Sequence, residues 1–190
     1  IVASESVAVD ALDGTFIRDV RPGELIRIDD NGYTSVQIAT ANRTAHCIFE
    51  YIYFARADSV IDGRLVYDVR RQIGQGLHDV APVEGETVCP VPDSGIAYAA
   101  GYAERSGIPF VEGLMKNRYV GRTFIMPIQQ QRERAVRIKL NVVRNNLKGK
   151  KVVLVDDSIV RGTTSRRIVK MIREAGADEV HLRVGSPPII

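Results

Sequence analysis

The stretch KVVLVDDSIVRGTTSRR at 151–167 constrains the fold of this chain more than any other. Its apolar run at 152–155 is typical of a strand that is covered on both faces of a parallel sheet. Asp156 and Asp157 follow where this run stops, at the edge where open α/β sheets place their ligands. Adjacent carboxylates can accept hydrogen bonds from neighbouring hydroxyls or help to hold a hard cation through oxygen.

A glycine loop rich in hydroxyl groups follows the acid pair and leads into a predicted helix. Its backbone N–H groups and hydroxyls come from Gly162, Thr163, Thr164 and Ser165. A helix N-terminus favours an anion through its unpaired N–H groups and its dipole, so a phosphate fits there without a lysine. The spacing matches neither the Walker A pattern nor the dinucleotide fingerprint. Each half alone is common in ordinary α/β domains, and only the joined string indicates a sugar phosphate site.

The string VVLVDDSIVRGTTSRRIV resembles the phosphoribosyl-pyrophosphate (PRPP) motif of the type I phosphoribosyltransferases. Other segments narrow the resemblance to the glutamine PRPP amidotransferases, also called amidophosphoribosyltransferases. These segments are CIFEYIYFARADSVIDG at 47–63, VPDSG at 91–95, SGIPFVEGLMKNRYVGRTFIMP at 106–127 and REAGADEVHLRVGSPP at 173–188. KNRYVGRTFI is the most specific of them. One departure is Ala57, where this family commonly has proline.

The resemblance implies an α/β fold of the type I phosphoribosyltransferase kind, with a mainly parallel sheet flanked by helices. It assigns 46–190 to that domain, which we expect to be incomplete at its C-terminal end. Residues 1–45 resemble the closing β-strands of a truncated N-terminal nucleophile glutaminase domain. The alternation of apolar residues predicts a β-meander there, with strands at 6–12, 15–20, 25–29 and 33–39.

Further along the chain, the pattern predicts alternating helices and strands. Apolar residues at four-residue spacing predict helices at 65–78 and 129–147, and two more helices begin near Gly95 and Gly162. The predicted strands are 86–91, 109–113, 152–155 and 179–185. Strands separated by helices imply right-handed crossovers and a parallel sheet.

The turn VPDSG supplies backbone N–H groups at a helix start, which suit the pyrophosphate end of PRPP. A simple turn with an Asp or Ser cap is the alternative. The resemblance implies a Mg²⁺ site formed by Ser94, Asp156 and Asp157. The substrate-binding residues that it implies are Asp93, Ser94, Gly95, Ser158, Arg161, Gly162, Thr163, Thr164 and Ser165.

The segment KNRYVGRT at 116–123 has three cations, an aromatic residue and a glycine that can act as a hinge. Such a loop can close over a polyanion and exclude water. The resemblance implies a catalytic loop here, which becomes ordered with PRPP and helps to form an ammonia channel. Besides the acid pair, the catalytic residues that it implies are Lys116, Arg118, Tyr119 and Arg122. For a lone basic loop, solvated surface would be the alternative.

The chain has two cysteines and three histidines without the spacing of a zinc site. Cys89 lies in an apolar strand and is predicted to be a buried thiol. Cys47 has two open interpretations: a plain buried thiol or, as in some members of the resembled family, one of four ligands of a 4Fe–4S cluster. The family's glutaminase uses an N-terminal cysteine, whereas this chain begins with Ile1. We therefore expect no glutamine hydrolysis from this polypeptide as written.

The resemblance implies the first step of purine biosynthesis: transfer of the phosphoribosyl group of PRPP to ammonia from glutamine. Purine nucleotides would be feedback inhibitors, and the protein would be a homo-oligomer, a dimer or a tetramer. A net charge of +3 requires no nucleic-acid partner, and no apolar run is long enough for a membrane span, so we expect a cytoplasmic protein. Two alternatives share the PRPP motif. They are a base-salvage phosphoribosyltransferase and a non-catalytic PRPP-sensing regulator.

Overall fold

The computed structural model describes residues 1–40, 43, 45–117 and 140–188. Its N-terminal part has a short helix, α1 (Val7–Asp10), and an antiparallel hairpin. The hairpin consists of β1 (Glu24–Asp29) and β2 (Gly32–Gln37). These two strands confirm the second half of the predicted meander.

The first half of the predicted meander is wrong. Residues 6–12 begin as a helix, because the Val9 and Asp10 N–H groups donate to the Ser6 carbonyl at 2.9 and 3.2 Å. Residues 15–20 form no strand. Local hydrogen bonds satisfy the backbone of the first segment without a partner strand, whereas a strand needs one. Alternation over so few residues therefore did not decide the structure.

A π-helical segment, Glu50–Phe54, connects the two parts of the chain. It precedes a short hairpin of β3 (Val60–Ile61) and β4 (Arg64–Leu65). The Tyr51 hydroxyl donates to the Ile61 carbonyl at 2.9 Å and ties the segment to the hairpin. Single turns of π-helix are frequent at functional sites, so this segment is considered again below.

Alternating helices and strands make up the rest of the fold. In chain order they are α2 (Val66–Val80), β5 (Thr87–Pro90), α3 (Ile96–Ser106), β6 (Leu114–Lys116), β7 (Leu140–Val142), α4 (Arg144–Leu147), β8 (Lys151–Asp156), α5 (Thr163–Glu174) and β9 (Glu179–Val184). Strands β5, β8 and β9 form a parallel sheet with β8 in the middle, and β6 pairs with β7 in an antiparallel ribbon. An isolated parallel bridge joins Val88 to Phe110 within the segment predicted as a strand at 109–113. The predicted α/β fold with a mainly parallel sheet is confirmed.

The predicted helix at 129–147 is wrong over its described end, while 129–139 lie outside the described residues. Leu140 begins strand β7 and pairs with Lys116, and only Arg144–Leu147 is helical. Leu140 and Leu147 are nevertheless both buried in the same core. Pairing with β6 supplies hydrogen bonds to the backbone of β7 and also leaves Leu140 in the core. Tertiary contacts therefore outweigh the helical spacing of the apolar residues.

Helices cover both faces of the parallel sheet. On one face, Val153 and Val155 of β8 pack with Tyr98 and Tyr102 of α3. On the other face, the residues that pack together from β8, α4 and α5 are Val152, Leu154, Leu147, Ile168 and Ile172. Each fully buried Val, Leu or Ile side chain contributes about 1.5–3 kcal/mol, so this core fixes the strand ends above it.

Helices α2 and α3 touch backbone to backbone at two glycines. A Cβ atom on Gly74 would lie 2.0 Å from the Tyr98 carbonyl oxygen, and one on Gly101 would lie 1.9 Å from the Arg71 carbonyl oxygen. A side chain at either position would push the helices apart.

In the described ranges no helix has the length and apolar character needed to span a membrane.

Candidate functional site

The acid pair lies at the carboxyl end of β8, the middle strand. Asp156 is 8% exposed and Asp157 is 4% exposed. The Asp157 N–H donates to the Asp156 Oδ1 at 2.9 Å, and the Ser158 hydroxyl donates to the Asp157 carboxylate. The neighbouring strand end holds their backbone, because the Gly185 and Ser186 N–H groups donate to the carbonyls of Asp156 and Asp157 at 3.0 and 2.7 Å.

The carboxylate of Asp156 lies in surroundings that disfavour its negative charge. The pKa of Asp156 is raised to about 7, first by burial and then by the charge of Asp157, although the hydrogen bond from the Asp157 N–H acts to lower it. A bound cation or a set of hydrogen-bond donors would relieve this cost. Carboxylate and hydroxyl oxygens are the ligands that Mg²⁺ prefers, so the donor set at this edge fits that ion.

The acid pair does not form a complete metal cage by itself. Within the described part of the chain, no three His, Cys, Asp or Glu side chains come together as a metal site. Magnesium commonly keeps several waters and uses substrate phosphates as ligands. A Mg²⁺ ion at this edge would therefore depend on oxygen atoms of the substrate.

The turn VPDSG follows the adjacent strand, β5, and packs against the end of β8. The Val91 N–H donates to the Val155 carbonyl at 2.8 Å, and the Gly95 N–H donates to the Val91 carbonyl at 2.9 Å. A Cβ atom on Gly95 would lie 2.5 Å from the Val155 oxygen and 2.7 Å from the Val91 oxygen, so a larger residue does not fit. The Pro92–Asp93 peptide bond is cis. The turn and the acid pair thus share one edge of the sheet.

The end of β6 brings a cation to the same turn. The Lys116 Nζ lies 2.5 Å from the Asp93 Oδ2, and both side chains are about half exposed. Opposite charges 23 positions apart gave no local signal for this contact, so the sequence alone could not have found it. The other predicted catalytic residues, Arg118, Tyr119 and Arg122, lie outside the described residues.

The glycine loop after β8 opens helix α5 as predicted. Gly162 has a φ of +70°, a conformation that glycine adopts at little cost, and its carbonyl accepts the Arg166 N–H at 3.0 Å. No described side chain caps this helix N-terminus. Thr163 and Thr164 are exposed and Ser165 is buried, while Ser158 is half-buried and Arg161 is exposed. The free N–H groups of the first turn are therefore available to an anion.

The two cysteines differ in exposure. Cys89 is fully buried, as predicted, and burial raises the pKa of its thiol to about 11, although the N–H groups of Gly113 and Leu114 lower it. Cys47 is exposed, so its interpretation as a plain buried thiol is wrong. Its assignment as a cluster ligand stays a prediction.

Alkylation should separate the two thiols. We expect iodoacetamide to modify Cys47 of the iron-free native protein readily and Cys89 at least about a hundredfold more slowly, because a thiol that is buried and has a raised pKa supplies little thiolate. Peptide mass spectrometry would locate the label, and the same reaction in urea would serve as the control. Equal labelling of both thiols in the native protein would contradict this environment for Cys89.

Comparison with known proteins gives consistent matches. Residues 60–184 match the family model described as the phosphoribosyl transferase domain. The amidophosphoribosyltransferase of Archaeoglobus fulgidus is 63% identical over 190 residues, which are 100% of this chain and 42% of that protein. The chain spans about two fifths of the length of the curated relatives it matches.

Two solved structures match nearly the whole chain. One is described as the allosteric regulatory enzyme of purine biosynthesis, with 54% identity, a TM-score of 0.90 and coverage of 98% of this chain and 40% of that chain. The other is glutamine phosphoribosylpyrophosphate amidotransferase from B. subtilis complexed with ADP and GMP. It has 54% identity, a TM-score of 0.89 and coverage of 98% of this chain and 41% of that chain.

Proposed function

This chain belongs to the phosphoribosyltransferase domain family, and we propose that it carries the PRPP-binding half of an amidophosphoribosyltransferase. The complete reaction would convert PRPP, glutamine and water to 5-phosphoribosylamine, glutamate and pyrophosphate, the first step of purine synthesis. One observation carries the proposal: Asp156 and Asp157 lie buried between the start of helix α5, which has no side-chain cap, and the turn VPDSG. That arrangement offers separate contacts to the ribose, the 5′-phosphate and the pyrophosphate of one ligand.

Each end of PRPP has a proposed partner. The carboxylates of Asp156 and Asp157 accept hydrogen bonds from the ribose hydroxyls, and the N–H groups and hydroxyls at 162–165 bind the 5′-phosphate. The backbone of VPDSG and the ammonium group of Lys116 bind the pyrophosphate. When bound by Ser94, Asp156 and Asp157, Mg²⁺ would supply positive charge near the pyrophosphate oxygens.

The proposed reaction is a displacement at the anomeric carbon. The bond from that carbon to the pyrophosphate oxygen breaks, and the pyrophosphate leaves with the electron pair. The nitrogen lone pair of ammonia forms the new bond, and the nitrogen then loses a proton to solvent. Positive charge develops on the ribose, so the nearby acid pair stabilises the transition state, while Lys116 stabilises the departing anion. We also assign Arg118, Tyr119 and Arg122 to a catalytic loop that closes over the substrate.

The source of ammonia is proposed to be glutamine, hydrolysed by a glutaminase domain whose C-terminal end is residues 1–45. In support, four apolar side chains of hairpin β1–β2 are each at least half exposed: Leu25, Ile28, Tyr33 and Val36. An isolated two-stranded hairpin is marginally stable at best, so these side chains favour a packing partner. Neither Cys47 nor Cys89 is proposed as the nucleophile.

Regulation and assembly follow as further parts of the same proposal. The relative solved with ADP and GMP supports feedback control by purine nucleotides. We also propose a cytoplasmic homo-oligomer, and a 4Fe–4S cluster with Cys47 as one ligand remains an open alternative to a cluster-free protein.

Pyrophosphate release tests the proposal. The full-length protein would be given PRPP, magnesium and an ammonium salt, with and without a panel of purine and pyrimidine bases. We expect release with ammonium alone. A strict requirement for a base would favour a salvage transferase, and tight PRPP binding without turnover would favour a sensor.

Lys116 should matter for PRPP binding. We expect Lys116→Gln to raise the KM for PRPP about tenfold or more, because a charge-assisted hydrogen bond to the pyrophosphate is lost. Lys170→Gln is the matched control, since Lys170 is exposed on α5 and pairs only loosely with Glu174, at 3.7 Å. Steady-state kinetics with ammonium would measure both, and equal KM values for the two variants would remove Lys116 from the site.

A further inference from the structure

Arg70 of helix α2 is a buried cation that binds the π-helical segment. Only 4% of the surface of Arg70 is exposed. The Nε atom donates to the Tyr51 carbonyl at 2.6 Å, and the Nη2 atom donates to the Ala55 carbonyl at 2.8 Å. A buried guanidinium that loses such partners is costly, so Arg70 fixes the segment near its start and directly after its end.

Tyr98 of helix α3 binds the same segment from a second direction. Its residue is fully buried, and its hydroxyl donates to the Ile52 carbonyl at 3.0 Å. Two carbonyls of the segment, those of Tyr51 and Ile52, and the carbonyl of Ala55 directly after it are therefore held by two buried side chains. The segment cannot shift without breaking hydrogen bonds to two buried side chains.

The other side of Tyr98 faces the strand end that holds the acid pair. A Cβ atom on Gly185 would lie 2.4 Å from the Tyr98 Cε1, so ring and backbone are in direct contact. The Gly185 N–H in turn donates to the Asp156 carbonyl at 3.0 Å. Burial raises the pKa of the Tyr98 hydroxyl to about 12, and the neighbouring charges of Arg70 and Asp157 lower and raise it respectively. Tyr98 thus lies between the π-helical segment and the acid pair.

We infer that Arg70 and Tyr98 are positioning residues that hold the π-helical segment Glu50–Phe54 and the acid pair in one fixed arrangement. This inference rests on the proposed function, because it gives the acid pair the task of binding PRPP. We place neither residue in contact with the ligand. Tyr98 acts through Gly185 and the strand end, and Arg70 acts through the segment that Tyr98 also binds, so loosening either should weaken PRPP binding while the protein remains folded.

Matched tyrosines and arginines make the test sharp. Tyr98→Phe removes a hydroxyl that has a partner but keeps the ring against Gly185. Tyr102→Phe removes a hydroxyl from an equally buried tyrosine on the same helix, for which no partner exists among the described residues. Arg70→Lys has its own control in Arg71→Lys, since Arg71 is partly exposed on the same helix and pairs with Glu104 at 3.1 Å.

Isothermal titration calorimetry of the full-length protein with magnesium and PRPP would report affinity and stoichiometry separately. We expect Tyr98→Phe and Arg70→Lys to weaken the Kd for PRPP on the order of tenfold, with unchanged stoichiometry and a folded thermal transition. The two controls should bind as the parent does. A purely structural role would lower the stoichiometry and the Tm without changing the Kd.

Two results would overturn the inference. One is equal Kd values for Tyr98→Phe and Tyr102→Phe, and the other is a loss confined to stoichiometry or Tm. If Tyr98→Phe fails to fold, the Arg70→Lys and Arg71→Lys pair decides alone. Failure of the parent protein to bind PRPP would instead refute the proposed function, so the two failures are distinguishable.

Discussion

Replacing Asp156 by asparagine is expected to reduce pyrophosphate release from PRPP by about a hundredfold to a thousandfold, because the transition state loses a charge placed beside the ribose. The same change should raise the free energy of unfolding in metal-free buffer near neutral pH by about 1 to 2 kcal/mol, as is common where an active site carries a destabilising charge. Asparagine removes a carboxylate whose ionised form is disfavoured by burial and by the charge of Asp157. The Oδ1 atom of asparagine can still accept the hydrogen bond from the Asp157 N–H.

Kinetics with ammonium and thermal or urea unfolding would measure the two effects in the same preparations. Asp178→Asn is the control, because Asp178 is exposed just before β9, at the opposite end of the sheet. We expect that variant to match the parent in both assays. An Asp156→Asn protein that is active, or inactive only because it is unfolded, would contradict the role given to the acid pair.

Gly74→Ala should be among the most destabilising single changes in the chain. Its Cβ would lie 2.0 Å from the Tyr98 carbonyl oxygen, and neither helix backbone can yield without disturbing the core. We expect a loss of about 3 kcal/mol or more in the free energy of unfolding, although alanine is the better helix former. Because Tyr98 also contacts the strand end at Gly185, PRPP affinity should fall with stability.

Gly76 provides the matched control for this prediction. It lies two positions later in the same helix, and nothing lies within 4 Å of the place its Cβ would occupy. Gly76→Ala should therefore stabilise the protein by about 0.5 to 1 kcal/mol, as expected for glycine to alanine in an open helical position. Urea denaturation of both variants would measure the difference, and alanine effects of the same sign would argue against the close helix contact.

The arrangement of the candidate site could be predicted where its residues are adjacent in the sequence. A buried strand, the acid pair Asp156 and Asp157, and a glycine loop lie next to each other in the chain, so their arrangement depends on one strand-to-helix connection. The turn VPDSG could be placed beside them because neighbouring parallel strands end at the same edge of the sheet. Local order was therefore enough to assemble the centre of the site.

Contacts between distant segments were not predictable in this way. Lys116 and Asp93 meet only because β6 returns to the end of β5, and the wrong helix ending at 147 arose from the same missing knowledge of the β6 pairing. The burial of Arg70 could not be predicted either, because Arg71 is adjacent to it in the same polar stretch of sequence and yet is partly exposed. Which arginine is buried depends on the fold, not on spacing.

Isotopically labelled ammonium, with PRPP and magnesium, gives the decisive measurement on the full-length protein. If the site transfers the phosphoribosyl group to ammonia, mass spectrometry of a rapidly quenched reaction will detect 5-phosphoribosylamine that carries the label, together with an equal amount of pyrophosphate. Unchanged PRPP, or ribose 5-phosphate without labelled nitrogen, would contradict the account.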